Sequence, residues 1–188
     1  MKSGKPALFL DRDGTIIEDR GFLSDPDDAV FFPDTITALQ KVREKYLLFV
    51  VSNQSGIATG VITEDDVLTV NNAVAEKLAS EEIYIRKWYF CPHVPEDRCS
   101  CRKPNPSFLL QAAEEFGIDL KRSFMIGDHP GDASAGENAG ARGLYLLTGH
   151  GEHHVKELPE NTPVFNNLTE AMDWILLHSE PPEEDSRI

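Results

Sequence analysis

The chain has 188 residues, 40% hydrophobic and 27% charged, a length and composition that suit one soluble globular domain and fall short of two ordinary ones. Its 18 Lys and Arg face 32 Asp and Glu, a net charge of −14. Such a surface repels nucleic acid and anionic lipid, whose binding rests on Lys and Arg, so neither is expected as a partner. The opening MKSGKPALFLDRDG has too short an apolar run for a signal peptide or a membrane span, and a cytoplasmic monomer is expected.

In chain order, the apolar runs Ala7 to Leu10 and Leu47 to Val51 predict buried parallel strands. Between them Ile36, Leu39, Val42 and Tyr46 keep helical spacing, with Asp34 as the expected N-cap. Thr63 opens TEDD, a capping-box start for a second helix carrying Val67, Val70, Asn71, Val74 and Leu78. Ile83 to Phe90 is strand-like. Phe108, Leu109, Ala112, Ala113 and Phe116 predict a third helix ended by Gly117. A strand over Ser123 to Ile126, a short helix over Asp132 to Ala139, a strand over Leu144 to Leu147 and a helix near Leu168 to Leu177 complete the pattern. One domain over residues 1–178 is expected, with the acidic, proline-containing residues 179–188 as a disordered tail. Strands alternating with helices imply a doubly wound, Rossmann-like α/β fold with a parallel sheet and ligands at the strand carboxyl ends. Three such ends are polar: Asp11-x-Asp13, Ser52-Asn53 and Asp128.

In LDRDGT the spacing of two puts both carboxylates on one side of an extended chain, with Gly14 free to turn. A calcium loop of EF-hand type would need Gly and Glu where this chain has Ile16 and Phe22, so that reading fails. DRDGT at Asp11 to Thr15, VVSNQSG at Val50 to Gly56, Lys103 in CRKP, and IGDHPGD at Ile126 to Asp132 resemble, in order, the four motifs of the haloacid dehalogenase superfamily of aspartate-nucleophile phosphatases. Within it, DRDGTI, NQSGIA, CPH, CxCRKP and LLTGHG are similar to the D-glycero-D-manno-heptose 1,7-bisphosphate phosphatases. The short cysteine loop matches the spacing of the related histidinol-phosphate phosphatases, so either a heptose bisphosphate or histidinol phosphate is the implied small phosphorylated substrate.

Phosphoryl transfer needs an in-line nucleophile, a proton donor for the leaving alkoxide and positive charge at the equatorial oxygens. Asp11 is the expected nucleophile and Asp13 the acid/base. Asp11, Asp128 and the main-chain carbonyl of Asp13 suit Mg²⁺. Ser52 and Asn53 are expected to hydrogen-bond substrate, Lys103 to hold its phosphate, and Arg102 to grip a second phosphate or hydroxyls. The chain departs from the family pattern at Ser52 (usually Thr), Thr59 (often Arg) and His129 (usually Lys). His129 is left between a bond to metal-bound water and simple packing, and His150, His153 and His154 read as exposed loop residues. A receiver domain also gathers acids, a hydroxyl and a Lys at strand ends, but its acceptor lies on a middle strand, whereas Asp11 follows the first.

FCPHVPEDRCSCRKP holds every cysteine of the chain. Cys91, His93, Cys99 and Cys101 supply three thiolates and an imidazole, a full tetrahedral set for structural Zn²⁺ with no position left for substrate. No cap-sized insertion separates the motifs, so an open site whose specificity comes from loops is expected.

Overall fold

The computed structural model describes residues 4–178, and the predicted tail at 179–188 lies outside them. In order, the elements are β1 (Ala7–Leu10), α1 (Thr35–Gln40), β2 (Leu47–Asn53), α2 (Glu64–Ser80), β3 (Ile85–Cys91), α3 (Ser107–Phe116), β4 (Phe124–Gly127), α4 (Pro130–Ala139), β5 (Arg142–Leu146), α5 (Gly151–His154), β6 (Val164–Phe165) and α6 (Leu168–His178).

The six strands form one sheet in the order β3-β2-β1-β4-β5-β6, and every pairing is parallel. Chain order reverses between β1 and β4, leaving the crevice in which such sheets bind ligands. The side-chain period of two explains why the central strands are apolar throughout. Leu8 and Leu10 of β1, Leu48 and Val50 of β2 and Ile126 of β4 enter one core with Leu39, Val74, Leu78 and Met172. Ala7, Phe9, Phe49, Val51 and Met125 enter the opposite one with Leu109 and Ala112 of α3. Among the described residues no separate domain inserts between these elements.

Helix ends follow local chemistry. Thr63 and Asp66 form the expected capping box on α2, and Gly117 closes α3 in the left-handed conformation. Helix α4 begins at Pro130, two residues before the predicted start, because proline is preorganised for the first helical position. Three expectations are corrected. Helix α1 ends at Gln40 and the chain continues in tight turns that bond back three residues, such as Val42 N–H to the Leu39 carbonyl, although Val42 and Tyr46 are buried as their spacing predicts. Asp34 makes no side-chain cap on α1; its carboxylate accepts from the Thr169 N–H at 2.8 Å, in the first turn of α6. The histidine loop contains α5, and β6, two residues long, is too short to leave a periodic signal.

Phe49 is fully buried, stacked on Phe9 at 5.3 Å between centroids and met edge-on by Phe116 at 5.1 Å. Phe49→Ala removes both contacts and leaves a void in the central strands. It is expected to cost about 3–5 kcal/mol of unfolding free energy, read as a lower urea midpoint; a loss under about 1 kcal/mol would show that this core collapses around the gap.

Candidate active site

A cavity of about 330 Å³ opens at the carboxyl ends of β1, β2 and β4. Asp11, Asp13, Ser52, Asn53, Arg102, Lys103 and Asp128 all line it, so one site gathers every residue expected to carry chemistry. They reach it because parallel strands end on one side, and each strand end can orient polar groups outward while its body stays apolar.

Lys103 sits at the centre. Its buried ammonium lies 2.9 Å from Asp11 Oδ1 and 2.6 Å from Asp132 Oδ1 and donates to the Val51 carbonyl at 2.7 Å. Burial alone would favour the neutral amine, but Asp11 and Asp132 outweigh it and hold the lysine charged, above its ordinary range. Asn53 takes a task different from the expected contact with substrate. Its Oδ1 accepts from the Lys103 N–H at 3.1 Å and its Nδ2 donates to the Lys103 carbonyl at 3.3 Å, so β2 fixes the backbone that carries the cation.

The acids are set by close backbone approach. Gly14 has φ +79°, and a Cβ there would overlap the Asp128 carboxylate; one on Gly149, at φ +52°, would overlap it too. The His150 N–H donates to Asp128 Oδ2 at 2.8 Å. His150 therefore belongs to the site through its backbone, while its ring is exposed, as expected, and meets Asp19 at 3.1 Å at the rim. His129 caps α4: its Nδ1 accepts from the Gly131 N–H at 3.1 Å while its own N–H donates to Asp132 Oδ2 at 3.0 Å. Burial lowers its pKa and keeps the ring in the neutral form that this cap requires.

Burial raises the Asp11 carboxyl well above the usual carboxylate range; Lys103 opposes this, and Asp132 and Asp128 add to it. Burial and then Asp132 push Asp128 up to about 6. Ligating oxygens of Asp11, Asp128 and Asp132 lie within 4.8 Å of one another. Three carboxylates with one ammonium leave a net charge of −2, which a divalent, oxygen-preferring cation such as Mg²⁺ neutralises. Lys103 and the His129 N–H take both oxygens of Asp132, whereas the named contacts of Asp11 fall on Oδ1 and that of Asp128 on Oδ2, leaving each one oxygen for a metal.

Two contributors escaped the sequence reading. Gln54 Nε2 donates to Asp13 Oδ2 at 2.8 Å and to Ser52 Oγ at 2.6 Å, linking motif I to motif II. Arg12 is fully buried and forked onto Asp13. Its signal was a cation flanked by two acids directly after a buried strand.

Beside the cavity the cysteine segment folds into a cluster. Cys91, His93, Cys99 and Cys101 offer ligand atoms within 4.8 Å of one another, the cysteines are unpaired, and Cys101 Sγ lies 2.9 Å from Cys91 Sγ and 3.3 Å from His93 Nδ1. Burial pushes the Cys99 thiol up, but the Arg102 N–H and the other thiols outweigh it and bring it to about 7, a range in which a thiolate ligand forms readily. The set fits tetrahedral Zn²⁺. Arg102 Nη1 donates to the His93 carbonyl at 3.0 Å, which ties the cluster to the cations of the site.

Residues 100–171 match the HAD-hydrolase-like family model. The chain is 42% identical to the D-glycero-beta-D-manno-heptose-1,7-bisphosphate 7-phosphatase of Helicobacter pylori (strain J99 / ATCC 700824) over 93% of its own length and 99% of that protein's. This chain belongs to the D-glycero-beta-D-manno-heptose-1,7-bisphosphate 7-phosphatase family. The Escherichia coli (strain K12) member of that family is 34% identical over 94% of this chain and 91% of its own. A D,D-heptose 1,7-bisphosphate phosphatase from B. bronchiseptica, solved with magnesium and phosphate, superposes with a TM-score of 0.84 at 28% identity, covering 92% of this chain and 98% of that one. The family's phosphatase chemistry accounts for the gathering of acids around one buried lysine.

Two outcomes test the metal sites. If Asp128 ligates Mg²⁺, the ion must displace its proton, so affinity should fall by about tenfold per pH unit below about 6. In the metal-free protein this carboxyl keeps a proton that the unfolded chain has already lost, so its contribution to stability shrinks as pH rises from the ordinary carboxylate range to about 6. Calorimetric Mg²⁺ titrations that stay level from pH 7 to 5 would refute the assignment. Cys99→Ser should lower bound zinc by metal analysis, reduce Tm and raise KM through displacement of Arg102 and Lys103; wild-type protein purified without chelator and free of zinc would refute it.

Proposed function

We propose that this chain is a Mg²⁺-dependent phosphatase that removes the phosphate at C7 of a D-glycero-D-manno-heptose 1,7-bisphosphate. The observation that carries the reading is the salt bridge of Lys103 to Asp11, beside a cluster of acids whose charge suits a divalent ion. The names of the relatives supply the sugar.

Asp11 Oδ attacks phosphorus in line, forming an aspartyl phosphate as the sugar oxygen leaves, and Asp13 gives that oxygen a proton. A water then attacks phosphorus, Asp13 takes its proton, and the bond to Asp11 breaks. Lys103 holds the nucleophile and balances the equatorial oxygens, and Ser52, whose oxygen accepts from Gln54, has its own proton to give to a phosphoryl oxygen. Mg²⁺ held by Asp11, Asp128 and the Asp13 carbonyl would screen the repulsion between acids and phosphate dianion. Arg102 lies on the cavity wall, where its free guanidinium nitrogens suit a second phosphate or sugar hydroxyls.

We read the protein as cytoplasmic, since a cluster of free thiols suits a reducing compartment, and as a monomer acting on a small metabolite. No helix among the described residues is long and apolar enough to cross a membrane. The test compares kcat/KM for heptose 1,7-bisphosphate and histidinol phosphate; a ratio above about 10² is expected for the sugar, because buried polar groups left unpaired by the wrong substrate discriminate strongly. A preference for histidinol phosphate would overturn the substrate. Asp11→Asn should abolish turnover of both with the fold retained by circular dichroism, and residual activity near wild type would remove Asp11 as nucleophile.

A further inference from the structure

Arg12 and Lys103 are the buried cations among the described residues. Lys103 has its task at Asp11, whereas Arg12 does not line the cavity and holds its neighbour. Its Nε lies 3.2 and 3.1 Å from the two carboxylate oxygens of Asp13. Its Nη2 is 3.0 Å from Asp13 Oδ2, too poorly aligned for a hydrogen bond, and has no other partner. Its Nη1 donates at 2.8 Å to Oδ1 of Asn71, a nearly buried residue of α2. Gln54, at the end of β2, donates to the same Asp13 Oδ2. The Asp13 carboxylate is thus gripped through both oxygens by donors braced on α2 and β2.

A guanidinium stays charged at any pH a protein survives, and in the interior it requires a counter-ion. Asp13 is the carboxylate in contact with it among the described residues. The fork therefore fixes the orientation of the Asp13 carboxylate. We propose that Arg12, braced by Asn71, is the positioning residue for Asp13, holding its carboxylate in the orientation from which it acts on the attacking water. In that step the water oxygen bonds to phosphorus, its proton passes to Asp13, and the phosphorus–oxygen bond to Asp11 breaks with its electron pair returning to the Asp11 carboxylate. The assignment rests on the reading of Asp11 and Asp13 under Proposed function.

The experiment is rapid mixing with p-nitrophenyl phosphate, whose leaving group departs without a proton, so that its release reports attack by Asp11 alone. Arg12→Gln is expected to release one equivalent of p-nitrophenolate per site within about threefold of the wild-type rate, then to turn over about 10²-fold more slowly, with phosphate trapped on acid-quenched protein. Asn71→Ala, which keeps the cation and loosens its brace, should give the same burst with about tenfold slower turnover; if Arg12→Gln does not fold, this variant decides the matter. Equal slowing of both phases, or slowing of neither, overturns the proposal. Asp13→Asn, run in parallel, separates it from its premise. A wild-type rate of intermediate hydrolysis in Asp13→Asn would sink the base assignment and the proposal together, whereas a burst there with none in the Arg12 and Asn71 variants would sink the proposal alone.

Discussion

Lys103 is the cation around which the site closes. Asp11, Asp128 and Asp132 bring ligating oxygens within 4.8 Å of one another, an arrangement that like-charge repulsion and burial both oppose. The lysine offsets part of this by bridging Asp11 and Asp132, and backbone N–H groups of His129 and His150 satisfy further oxygens. What remains is an acidic surplus that has a purpose only with a divalent ion and a phosphate present. That surplus suits a divalent cation, which would in turn screen a phosphate dianion from the acids.

Holding that lysine requires support from every side. Asn53 grips its backbone from β2, and the preceding residue, Arg102, is bonded to the His93 carbonyl inside the cysteine cluster. The segment between β3 and α3 has only a single 3-10 turn of its own, at Pro95–Asp97, and such a loop would otherwise sample many conformations. A zinc ion held by the cluster would remove that freedom beside the cations Arg102 and Lys103. With no domain inserted over the crevice, the cavity walls come from loops: Asp19 to Phe22 after β1, Arg102 and Lys103 after β3, and His150 after β5. The Asp19–His150 contact joins two of those walls.

Much of this was legible before any coordinates. Apolar runs ending in Asp11, Ser52 and Asp128 revealed the parallel strands and their functional ends, and the capping box at Thr63 and the glycine at position 117 marked helix limits that the structure keeps. The cysteine spacing pointed to a Cys/His group that the structure brings together within metal-binding range. Harder to read were residues whose partners are distant in sequence. Asp34 looked like a cap for α1, yet it reaches Thr169. Asn53 looked like a substrate contact, yet its amide atoms are taken by Lys103. His150 gave no signal in a polar, glycine-rich stretch, because its contribution to Asp128 is made by the backbone, which carries no side-chain identity.

The sequence by itself determined the fold class, the order of the strands' polar ends and the spacing of the Cys/His set, and it led to the expectation of Asp11 and Asp13 as nucleophile and acid/base, because each depends on spacing within a few residues or on periodicity along one element. Only the tertiary structure decided that Arg12 is buried against Asp13, that Gln54 joins Asp13 to Ser52 and that Lys103 lies between Asp11 and Asp132. Those contacts join segments that meet through the crossover of the sheet, or depend on which face of a turn a side chain takes. Local pattern constrains neither, since the energy that fixes them comes from burying charges whose partners are supplied by the rest of the fold.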